Sequence, residues 1–89
     1  MTIGSLRKNI DQIDNKLINL LNERMNCIEE IAKLKETNNM PIYNFKRENF
    51  IFNKISSLSL KHEQEISTIY NCILDVSKNF QKEFINKQL

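Results

Sequence analysis

The chain has 89 residues, 40% of them hydrophobic and 27% charged, with a formal net charge of +2. A chain of that length is one domain, residues 1–89, and buries a smaller share of its surface than a larger domain does, so a partner subunit could complete its core. Interspersed charges, no run near the ~20 apolar residues of a membrane span and no apolar signal region in "MTIGSLRKNI" argue against nucleic acid and membrane as partners and for a cytoplasmic protein.

From Leu6 onward, Leu6, Ile10, Ile13, Leu17, Leu20, Leu21, Ile28, Ile31 and Leu34 recur at helical spacings, which predicts a first helix about 50 Å long at ~1.5 Å per residue. Ser5 is the expected cap, with the single glycine, Gly4, just before it. Asn38, Asn39 and Pro41 in "ETNNMP" end the run. A second helix starts at Asn44, an N-cap residue type, with Phe45, Ile51, Ile55 and Leu58 on one side. A third follows "LKHEQ", carrying Ile66, Ile69, Tyr70, Ile73, Leu74, Phe80 and Phe84.

No segment alternates with period two, so the expected fold class is all-α, three helices per chain, one long and two shorter. The second helix, about half the length of the first, cannot cover it alone. The simplest cover for a protruding apolar stripe is the same stripe of a second copy, which predicts an intertwined homodimer with the long helices at its centre. Periodicity by itself favours a plain antiparallel coiled coil or adaptor.

Cys27 and Cys72 lie inside helical segments and are expected to be reduced and core-facing or half-buried. His62 has neither a nearby cysteine nor a second histidine to share a metal, so it is expected as a solvated helix-end residue.

Arginine is used sparingly. Arg7, Arg24 and Arg47 stand among ten lysines, and arginine's planar fork of donors suits a carboxylate or phosphate in a way that an ammonium does not. Arg24 and Lys35, eleven residues apart, fall within about 20° of one helical face and about 16 Å apart along it, so both could lean over one small anion or simply be solvated. Arg47 and Glu48 enter the second helix in its first turn, where the helix dipole favours the carboxylate and the arginine could equally snorkel. Ser77 and Gln81, one turn apart beside the apolar stripe, should point inward and need partners, within the core or in a ligand. Arg7, about 25 Å along the helix from Arg24, cannot serve the same small ligand from the same chain but could serve a partner's site in an antiparallel dimer.

Taken in order, "LRKNIDQIDNKLINLLNERMNCIEEIAKLK", "PIYNFKRE" and "ILDVSKNFQ" resemble the all-helical chorismate mutases over nearly the whole chain. The resemblance implies an intertwined helical dimer that converts chorismate to prephenate without cofactor or metal. It implies that Arg24 and the partner's Arg7 hold substrate carboxylates, that Arg47 adds positive potential, and that Lys35 and Gln81 hydrogen-bond the ether oxygen. Glu48 would take the ring hydroxyl, and Ser77 would help seat a carboxylate. Asn44 stands where many members carry Asp, which leaves any side-chain role of that carboxylate in doubt. Two other readings compete: an isochorismate-pyruvate lyase of the same fold, and a non-catalytic helical dimerisation or regulatory module.

Overall fold

The computed structural model of the chain describes residues 1–59 and 61–87. They form three helices, α1 (Ile3–Thr37), α2 (Phe45–Leu58) and α3 (Glu63–Lys87), with no strand among the described residues.

The N-terminus of α1 differs from the expectation. Thr2, not Ser5, is the N-cap: Thr2 Oγ1 accepts from Ser5 N and Ser5 Oγ accepts from Thr2 N, each at 3.1 Å. This is a capping box in which serine does the work usually given to glutamate, so Gly4 sits inside the first turn rather than ahead of it. At the other end, Asn38 N donates to Leu34 O and Met40 N to Lys35 O, with Asn39 in the left-handed region at φ 55°. Asparagine tolerates that conformation better than most residues, and Pro41 then prevents the helix from resuming.

At the start of α2, Asn44 Oδ1 accepts from Arg47 N at 3.0 Å while its carbonyl accepts from Glu48 N. The N-cap expected there is therefore in place. His62 is exposed just ahead of α3, as expected.

α3 is the hub. α1 and α2 each pack on it and, among the described residues, not on each other. The buried apolar residues are Ile28 and Ala32 of α1, Ile55 of α2 and Leu74 of α3. Ala32, at 0% exposure, marks the tight α1–α3 approach, where a larger side chain would force the helices apart. Phe45 and Leu58, expected on the packed side of α2, are exposed, because α2 has one neighbour and shows it only a narrow face.

Every residue from Met1 to Glu23 is exposed, including Leu6, Ile10, Ile13, Leu17 and Leu20. The molecule measures 54 × 25 × 14 Å with a radius of gyration of 16.2 Å, against about 12 Å for a compact chain of this size. Cys27 and Cys72 are free and exposed, which corrects the expectation of core-facing or half-buried thiols. Their helices are covered on one side only, and Cys27 faces an open cleft.

Candidate active site

Where α1, α2 and α3 come nearest without filling the space between them, a cleft of about 180 Å³ opens. Its apolar walls include Ile28, Ile31, Ile51 and Leu74. Arg24 and Lys35 enter from α1, Asn44, Arg47 and Glu48 from the start of α2, and Ser77, Lys78 and Gln81 from α3. Of the eight residues singled out in the sequence, seven therefore line one cleft. Arg7 does not: it lies exposed near the far end of α1.

The cationic side chains are held, not loose. Arg24 Nη1 donates to Ser77 Oγ at 2.6 Å, and Ser77 Oγ donates onward to Ile73 O at 2.8 Å. Ser77 is only 3% exposed, so this relay fixes the guanidinium from behind and leaves its other N–H groups for an anion. A direct bond from Ser77 to a ligand would require its hydroxyl proton to turn away from Ile73 O. Lys35 Nζ donates to Ile42 O at 2.7 Å, which aims an ammonium that has two further protons to give. Burial lowers the pKa of Lys35 below the ordinary lysine value, since desolvation disfavours its charged form.

Gln81 is 4% exposed. Its Nε2 donates to Ser77 O at 3.2 Å, and its Oε1 is buried with no hydrogen-bond partner among the described residues. Such an orphaned acceptor costs about 1–3 kcal/mol, a penalty usually met where a site awaits a ligand or a rearranged neighbour. Arg47 lies over the Phe50 ring, 5.3 Å from its centroid, which holds the guanidinium at the rim.

Lys78 was not singled out in the sequence. Its Nζ lies 3.0 Å from Glu48 Oε2 and 3.8 Å from Asp75 Oδ1, and 5.1 Å from the centroid of the Tyr43 ring. The hydrogen bond with Glu48 raises its pKa, outweighing desolvation. Its place between Ser77 and Gln81 puts it at the edge of their inward face, but no spacing within α3 reports its partner on α2.

A second groove adjoins the cleft through Arg24 and Arg47, with a floor of Ile51, Ile55, Ile66 and Tyr70. Among the described residues no group of His, Cys, Asp and Glu is clustered closely enough to hold a metal ion, and no helix is long and apolar enough to cross a membrane.

The sequence profile of the family described as chorismate mutase type II matches residues 6–82. A chorismate mutase of Methanocaldococcus jannaschii is 28% identical over 88 residues, covering 96% of this chain and 89% of that protein. A bifunctional chorismate mutase/prephenate dehydratase of Buchnera aphidicola subsp. Schizaphis graminum is 31% identical over 86 residues, 93% of this chain but 22% of that protein. Another, from Aquifex aeolicus, is 44% identical over 57 residues, 64% of this chain and 16% of that protein. The chain thus spans about a fifth of the bifunctional relatives' length and most of the archaeal one's. No solved structure matches the chain.

Proposed function

The chain belongs to the chorismate mutase type II family, and from that premise we propose that its cleft holds chorismate and converts it to prephenate by a Claisen rearrangement, a step toward phenylalanine and tyrosine. The observation that carries the reading is the convergence of Arg24, Lys35, Arg47 and Lys78 around a single carboxylate, Glu48, in a half-apolar cleft. Four cations against one anion suit a doubly charged ligand.

The chemistry asks for two things. A flexible dianion must be held in a chair-like shape, and negative charge growing on the ether oxygen must be met as the C–O bond breaks. Arg24, locked by Ser77, serves the first need as a forked carboxylate clamp, with Arg47 adding potential at the rim. Lys35 and the second N–H of Gln81 Nε2 serve the second. One preorganised donor of this kind contributes about 3 kcal/mol, roughly a hundredfold in rate. Glu48 would accept the ring hydroxyl. Asn44 would act through its cap, which aims the first turn of α2, so the capping duty is met without the acid that many members carry.

The functional unit is proposed to be a homodimer of the cytoplasm. Full burial of a leucine or isoleucine contributes about 1.5–3 kcal/mol, and a second copy along α1 would cover at least five such half-exposed side chains. A partner's α1 lying in the apolar groove beside the cleft would bring its Arg7 toward Arg24 and Arg47.

The deciding experiment offers the purified chain chorismate or isochorismate and follows the loss of each in the ultraviolet. Rearrangement of chorismate to prephenate supports the reading. Cleavage of isochorismate alone would make it a lyase, and turnover of neither, with tight self-association, a dimerisation module.

A further inference from the structure

We propose that Lys78 is a positioning residue that aims Glu48 and balances its charge inside a cleft built for an anion. The inference rests on the reading of the cleft as a chorismate site, and it concerns a residue that neither the motif nor the spacing marks.

Glu48 poses a problem for such a site. A carboxylate is the acceptor a substrate hydroxyl wants, yet its charge repels a dianion. The charged and titratable groups around it are Lys78 and Asp75 from α3, Arg24 and Lys35 from α1, Arg47 from its own helix, and Tyr43 from the preceding connection. Among the described residues only Lys78 makes an ion pair with it, at 3.0 Å. The pair is partly shielded, with side chains 25% and 21% exposed, so it escapes much of the screening that makes surface pairs worth little. Because Oε2 is the oxygen engaged, Oε1 remains to accept a hydroxyl.

Lys78 is itself steadied. The face of the Tyr43 ring lies 5.1 Å from its ammonium and the more exposed Asp75 carboxylate 3.8 Å away. The Glu48 bond raises its pKa further, favouring the charged form. A cation on α3 thus fixes the rotamer of an acid on α2, across two of the three helices that line the cleft. Lys78 could instead touch the ligand itself, and the two roles give different double-mutant behaviour.

The test measures kcat and KM for chorismate with the wild-type chain, Lys78→Met, Lys78→Arg, Glu48→Gln and the Lys78→Met/Glu48→Gln double variant, with helical circular dichroism as the check on folding. A wild-type chain without turnover would sink the chorismate reading itself, whatever Lys78 does. With an active wild type, Lys78→Met is expected to lower kcat/KM about tenfold, the scale of one charge-assisted hydrogen bond. Lys78→Arg should recover activity to within about threefold, since a guanidinium can still pair with the carboxylate. Lys78→Met should change little, about twofold at most, once Glu48→Gln has removed the charge to be balanced. Should Lys78→Met misfold, Lys78→Gln takes its place in the same cycle. A Lys78 variant as active as wild type overturns the proposal, and so does an undiminished loss in the Glu48→Gln background, which would mean a direct grip on the substrate.

Discussion

Lys35 carries a charge the cleft partly desolvates, and that sets a direction for its titration. Burial lowers its pKa in the free protein, so the ammonium is lost at a lower pH than in an ordinary lysine. A bound dianion opposes that loss and pushes the pKa back up. The alkaline fall of kcat/KM, which reports the free enzyme, should therefore lie below the ordinary lysine range, and the fall of kcat should lie above it in pH. Lys35→Arg, which cannot deprotonate in this range, should abolish the limb; a limb that persists unmoved would assign the titration to another group. Gln81 supplies the matching case. An amide donates at any pH, whereas Gln81→Glu donates only while protonated, so its activity should be confined to acid solution and fall as the pH rises. A pH profile like that of the wild type would remove Gln81 from the ether oxygen. Arg24, Lys35, Ser77 and Gln81 were legible in the sequence because helical spacing alone puts each pair on one face. Lys78 was not, since what marks it is an acid thirty residues upstream on another helix, and no periodicity reports a contact between helices.

Helices were the most legible part of the chain, and their ends the least. The apolar period reaches from Leu6 to Leu34 and could not show that α1 begins at Ile3, because the cap that starts it pairs threonine with serine and places a glycine inside the first turn. Asn44 is the opposite case, a cap plain in the sequence and present in the structure. Its Oδ1 bond to Arg47 N sets the entry of α2, on which Arg47 and Glu48 both depend. Asn44→Ala should cost about 1 kcal/mol of stability at fixed protein concentration, and Asn44→Asp should keep it, since either side chain can cap. Chemical denaturation of the three proteins would check this. Equal stability of all three would mean that α2 is held by its packing on α3 and not by its cap.

At the scale of the molecule, the sequence showed that the first helix is too long for its neighbours, and the exposed residues from Met1 to Glu23 are that mismatch in three dimensions. What would cover them was not legible as contacts, because in the proposed homodimer one chain holds only half of a symmetric arrangement. If the partner's Arg7 completes each cleft, Arg7→Ala and Lys35→Ala proteins, each nearly inactive, should rescue one another when mixed and refolded together. Random pairing makes half the dimers mixed, each with one intact site, so about a quarter of wild-type activity should return. No recovery after verified subunit exchange would place Arg7 outside the site.

The bare rod also has a history in time. It leaves the ribosome ahead of the other two helices, and its apolar stripe emerges well before α3 exists to lie against any of it. Until then, a nascent stretch of leucine and isoleucine must stay dispersed by its own means. Lys8, Asp11, Asp14 and Lys16, charges of both signs set between those residues, are of the kind that discourages premature clumping while synthesis runs to completion.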